Sequence, residues 1–195
     1  FLQFERALGP ALRHRLLSPP RGKGRKALVV SSSFLEGVQM EAGLVKALEL
    51  AGFEPAVIMH RNRWLSRYFQ LAGVREIRYW GDVLPPGRLS EAKALLARLG
   101  SSNALLAFEH GGVRAGRFAA STALRALRVG SFDLGSPQVR NHLAPYLATS
   151  IAAVEGASAL LQAVTPSLTL FVDRGYTPQG QLFDLCLAAG IDAVT

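Results

Sequence analysis

Cysteine is almost absent from this chain: Cys186 is the one thiol in 195 residues. No intramolecular disulfide and no cysteine metal cluster can form, and a reducing, cytoplasmic setting is the expectation. Nucleotide signatures are also missing. The lack of a GxxxxGK[ST] motif argues against a P-loop NTPase. Gly22-Lys23-Gly24 has the opening of a dinucleotide fingerprint, but it precedes the first expected strand, whereas that motif follows one. His14, His60, His110 and His142 lack HExxH spacing, so no metal and no cofactor is expected. The chain has no internal repeat and no low-complexity tract. Its longest apolar stretch is interrupted by Glu155 and Pro166 and is largely alanine, which argues against a membrane span.

What is present is a chain long enough for one domain with a sizeable core, 49% of it apolar. The formal charge of +8 looks like a nucleic-acid signal until it is mapped. Residues 1–26 hold seven cations against Glu5, a net of +6, and the remainder of the chain carries +2. The basicity belongs to an arm, which lacks an aromatic stacking platform beyond Phe1 and Phe4, so nucleic acid is not an expected partner. Phe1, Phe4, Leu8, Leu12 and Leu16 recur at spacings of three and four, predicting an amphipathic helix weakened at Gly9-Pro10. It reads either as a helix packed on protein or as an interfacial helix whose arginines face anionic lipid. A linker, SPPRGKG, follows, so residues 1–25 form an arm and 26–195 the domain. The chain opens on Phe1 and ends inside an apparent strand; it is read as a fragment with more sequence expected after Thr195.

Apolar runs bounded by turn residues predict strands at 26–33 (KALVVSSS), 53–60 (FEPAVIMH), 74–80, 104–108, 168–172 and 191–194. Between them, helical spacing predicts a helix marked by Met40, Leu44, Val45 and Leu48 and ending at Gly52. Others are expected at 64–71, at 90–99 with Ser90 as N-cap, at 114–127, and over most of 136–164. Between the last two strands, Pro178 opens a helix with a Leu182, Phe183, Cys186, Leu187 stripe that Gly190 stops. This alternation means an α/β fold: a doubly wound, Rossmann-like parallel sheet of about six strands with helices on both faces.

In such sheets ligands bind beyond the carboxyl ends of the strands. The polar residues at the expected exits are Ser31 to Ser33 with Glu36 and Gly37, then His60-Arg61, Glu109-His110, and Asp173-Arg174 with Tyr176. A histidine there can act as a base, and an arginine fork can hold phosphate or carboxylate. Each also has a purely structural reading. His60 and His110 can simply end strands, Glu36 can serve the first-turn N–H groups of its helix, and Asp173 can pair with Arg174.

The segment LFVDRGYTPQGQLFDLCLAAGIDAVT, with its Tyr176-Thr177-Pro178-Gln179-Gly180 turn, resembles the N-terminal domain of GT-B type glycosyltransferases of surface-polysaccharide (capsule and lipopolysaccharide) assembly. The stretch GGVRAGRFAASTALRALRVGSFDL is similar to such proteins too, and the resemblance spans residues 26–195. It implies the acceptor-binding half of a two-domain enzyme that moves a sugar from a nucleotide-sugar donor to a glycan or lipid-linked acceptor. The donor would be held mainly by a second domain after Thr195, leaving the isolated fragment inactive. Under that resemblance Glu36, His60, His110 and Asp173 are the candidates for a catalytic base, and Ser33, Gly37, Arg61, Arg174 and Tyr176 for substrate binding. A cytoplasmic enzyme, peripheral on the inner membrane face through residues 1–25, is implied. Two other readings stay open: a nucleotide-sugar epimerase of the same architecture, and a non-catalytic α/β binding or assembly module.

Overall fold

The computed structural model of the chain describes Arg6 and residues 24–195. The amphipathic helix and linker expected ahead of Gly24 therefore lie outside the described residues, apart from Arg6, which is helical and exposed.

The fold is α/β, with five parallel strands: β1 (Arg25–Val30), β2 (Phe53–Met59), β3 (Glu76–Tyr79), β4 (Leu168–Phe171) and β5 (Asp192–Val194). Their spatial order is β3-β2-β1-β4-β5. Both expected central strands read as they do because Leu28 to Val30 and Ala56 to Met59 are buried on both faces. The edge strand β3 is short and charged. Its Glu76 takes hydrogen bonds from Lys26 at 3.0 Å and Arg78 at 2.7 Å. Burial would raise the pKa of Glu76, but these two cations outweigh it and hold the carboxyl below its ordinary value.

From residue 24 on, the helices are α1 (Leu35–Leu50), α2 (Arg63–Leu71), a single turn α3 (Trp80–Val83), α4 (Leu89–Leu99), α5 (Ser102–Ala107), α6 (Ala115–Leu127), α7 (Pro137–Val164) and α8 (Gln179–Ala188). The chain divides into two compact units. One consists of Phe1–Asp82, Val164–Val172 and Ile191–Thr195 and so contains the whole sheet; the other consists of Val83–Ala163 and Asp173–Gly190. In the sheet unit, α1 and α2 pack Val38, Ala42, Val45, Leu65 and Phe69 against Val29, Val57 and Met59. In the helical unit, Leu96, Leu105, Leu134, Leu143 and Leu147 form one cluster with the alanines of α6, and Val113, Phe118 and Val154 form another.

Four expectations are corrected. The sheet has five strands, not six, because residues 104–108 are helical from Ser102 to Ala107. Ser101 caps that helix, its Oγ accepting from the Ala104 N–H at 3.2 Å, and the run ALLA contains no β-branched residue to favour a strand. Helix α4 begins at Leu89 and carries Arg88, not Ser90, at its cap position. On α1 the buried stripe is Val38, Glu41, Ala42 and Val45, whereas Met40 and Leu44 are 63% and 47% exposed. On α8, Leu187 is exposed and Gln181 takes its place inside. Helix α7 is long and apolar enough to cross a membrane by length and composition, with a mean hydropathy of 1.4, and 56% of that window is buried within the fold.

Candidate functional site

The carboxyl edge of β1 and β2 carries a network of polar side chains and backbone groups. In this strand order the winding reverses at β1, between β1 and β4, and in open parallel sheets such a switch point is where ligands commonly bind. Three serines fill the β1 exit. Glu41, wholly buried on α1, accepts from Ser31 Oγ at 2.6 Å and from the Ser32 N–H at 2.8 Å. Ser31 Oγ in turn accepts from the Ser33 N–H at 3.1 Å. Ser33 is thereby held at φ 61°, a left-handed conformation that costs a non-glycine residue free energy. Its hydroxyl accepts from the His60 N–H at 3.0 Å, so the exits of β1 and β2 are tied together.

Gly37 is required by the same loop. Any Cβ there would overlap Ser32 Oγ, which has no hydrogen-bond partner among the described residues. Phe34 occupies the cap position of α1 without a side-chain bond, so the first-turn amides are open to an incoming acceptor. Glu36 lies exposed in that first turn, where a carboxylate complements the positive end of the helix.

His60 is exposed by area, yet enough protein flanks the imidazole for partial desolvation to lower its pKa below 6.5. The neutral ring that a general base needs is thereby favoured at neutral pH. The folded state also binds protons less readily here than the unfolded chain. This contribution to stability is present above about pH 6.5 and is lost as pH falls through the folded pKa. His60→Gln should flatten the fall in melting temperature between roughly pH 7 and 5. Identical pH profiles for both proteins would show that the ring is not desolvated.

Arg61 is fixed from two sides. Its Nη2 donates to both Asp82 carboxylate oxygens at 2.6 and 2.5 Å, and its guanidinium lies 4.5 Å from the Tyr79 ring centroid. Asn62 then starts α2 by accepting from the Trp64 and Leu65 N–H groups at 3.0 and 3.1 Å. Ser33, Glu36, Gly37, His60 and Arg61 thus all stand at the β1 and β2 exits of the sheet unit.

The other expected site residues lie in the helical unit. His110 follows helix α5 instead of a strand. It closes a tight turn with Val113 through paired backbone bonds of 2.9 and 3.0 Å, while its Nε2 stands 3.4 Å from Glu155. Asp173 does not pair with Arg174. Its Oδ1 accepts from the Gly175 N–H at 2.8 Å and its Oδ2 lies 3.7 Å from Arg125. Arg125 also covers the Tyr176 ring at 4.5 Å, and Arg174 instead covers Phe183 at 4.8 Å. These bonds shape the loop after β4.

Two features went unread in the sequence. Glu41 is the hub of the serine loop, and the 38, 41, 42, 45 spacing of its stripe was the available signal. Asp184 on α8 has its pKa raised by burial, which Arg117 and Arg114 oppose only in part. No group of His, Cys, Asp and Glu among the described residues could hold a metal ion. Comparison with family models, with curated proteins and with solved structures found no match for the chain.

Proposed function

We propose that this chain is the acceptor-side, Rossmann-like half of a GT-B type glycosyltransferase, acting on a nucleotide-sugar and a glycan or lipid-linked acceptor. The observation that carries the reading is the serine loop at the β1 exit. A strained Ser33 held by buried Glu41 presents the orphan Ser32 hydroxyl, the open first turn of α1 and the His60 ring at one sheet edge. Backbone strain of this kind persists where the surroundings over-determine it, and it concentrates at ligand-binding edges.

In an inverting transfer a base takes the proton of the acceptor hydroxyl as that oxygen attacks the anomeric carbon. The bond to the nucleoside diphosphate breaks, and the diphosphate leaves with the electron pair. His60, kept neutral by partial desolvation, is the residue best suited to take that proton, with Glu36 as the second candidate. Asp173 is given a loop-forming role by its bonds to Gly175 and Arg125. A peripheral membrane association through residues 1–25 would bring the enzyme to lipid-linked acceptors.

The test is a thermal-shift screen of the full-length protein against nucleotide-sugars and their nucleoside diphosphates. A ligand at a hundred times its Kd stabilises by about 2.7 kcal/mol, which is readily seen. With the active donor identified, His60→Ala should cut turnover by about 10²-fold or more while leaving the melting temperature nearly unchanged. No shift with any nucleotide-sugar would remove the transferase reading, and normal turnover in His60→Ala would pass the base to Glu36.

A further inference from the structure

The outer side of α2 carries a feature that the serine loop does not use. Leu65, Ser66, Tyr68 and Phe69 are the buried face of this helix, and Arg63, Trp64, Arg67 and Gln70 point outward. Arg61, Arg63, Arg67, Ser66, Gln70 and Tyr79 line a basin of about 500 Å³. That is within the usual size of small-molecule sites and exceeds what a bare ion needs.

Its charge is unbalanced. Arg61 has Asp82 as a partner, but no carboxylate pairs with Arg63 or Arg67 among the described residues. The three guanidinium groups and one carboxylate leave the basin two positive charges in excess. A carboxylate ligand would cancel one of them, whereas a phosphomonoester carries about −1.5 to −2 near neutral pH. Arg63 and Arg67 stand one turn apart, so their planar forks reach the same space, and such forks suit phosphate oxygens. Arg61 is already oriented by Asp82 and Tyr79 and loses little freedom on binding. Gln70 offers an amide able to donate and accept, as sugar hydroxyls require.

We propose that this basin is a binding site for a sugar phosphate, with Arg63 and Arg67 holding the phosphate and Gln70 facing the sugar. The site does not depend on glycosyl transfer and can stand if the transferase reading fails. It also provides its own reporter. The chain has two tryptophans, of which Trp80 is 1% exposed and Trp64 is 72% exposed with Arg67 lying 4.8 Å from its ring. An anion that draws on Arg67 changes the surroundings of Trp64 alone.

The experiment is a titration of the full chain with glucose 1-phosphate, followed by Trp64 emission and, independently, by calorimetry. Glucose and sodium chloride at matched ionic strength are the controls, and anionic phosphatidylglycerol vesicles form a separate arm. Saturable binding of glucose 1-phosphate is expected, weakened at least a hundredfold in R63A/R67A and less in R63K/R67K, which keeps the charge but not the forks. Both variants change exposed side chains, and an unchanged melting temperature verifies that they fold. Equal affinity in R63A/R67A, an equal response to glucose, or silence in both measurements overturns the proposal. A response to vesicles with none to glucose 1-phosphate also overturns it, in favour of a lipid surface.

Discussion

Replacing Gly116 by alanine should destabilise the helical unit by about 3 kcal/mol, although alanine is ordinarily the better helix former. Gly116 is in the first turn of α6, and a Cβ there would overlap the Leu105 carbonyl oxygen of α5. The obstacle is backbone, so no side chain can swing aside to make room. Neither can α6 slide away. Its Gly116 N–H donates to Phe108 O at 3.1 Å, and the Ala115 carbonyl accepts from Ser150 Oγ of α7 at 2.6 Å. Ser150 Oγ is itself held by the buried Gln181 amide, 2.6 Å away. The matched control is Gly43→Ala on α1, where nothing stands within 4 Å of the added methyl. There the entropic penalty of glycine is relieved, and a gain of about 0.5–1 kcal/mol is expected. Urea unfolding of both variants separates the cases by the sign of the midpoint shift. A stabilised Gly116→Ala protein would mean that α5 and α6 do not approach so closely.

Glu41→Ala should lower the melting temperature by about 4–24 °C. Removing the carboxylate leaves the Ser31 hydroxyl and the Ser32 N–H without their acceptor, and each orphaned buried group costs about 1–3 kcal/mol. For a chain of this size about 2–4 °C is lost per kcal/mol. The damage should also be local in a way that ordinary core truncation is not. Ser31 Oγ is what holds the Ser33 N–H, so a loosened Ser31 releases Ser33 from φ 61° and frees its hydroxyl from His60. Any ligand taken up at the β1 exit should therefore bind more weakly to Glu41→Ala than its stability alone would predict. Glu41→Gln keeps an acceptor for Ser32 and should cost only about 1 kcal/mol. Calorimetric melting curves of the two variants provide the check, and a loss of about 1 kcal/mol or less in Glu41→Ala would show that the carboxylate is not the hub of the loop.

Much of the α/β architecture was legible because local chemistry and global fold agree. ALVV in β1 and AVIM in β2 are short, apolar runs ended by polar residues, and their burial on both faces is the demand of a parallel sheet. Gly52 and Gly190 likewise act where they stand, through a left-handed turn that needs no distant partner.

Composition and spacing were silent where the answer depends on what comes near in space. The run ALLAF suits either a strand or a helix by composition; the cap that decides for α5, Ser101, stands in the sequence three residues before Ala104 and went unread. Of the expected stripe, Val45 is buried and Leu48 packs against the core, whereas Met40 and Leu44 face outward. The face turned to the sheet is Val38, Glu41, Ala42 and Val45, and on it Glu41 meets Ser31 and Ser32. Asp173 has Arg174 beside it in sequence, yet its cation is Arg125, 48 positions earlier. The chain by itself determined which segments could pair and which helices could start and stop, since those choices depend on neighbours within a few bonds. Tertiary structure alone decided which polar atom meets which, because a buried hydrogen bond or ion pair is selected by desolvation and close packing among residues far apart in the chain.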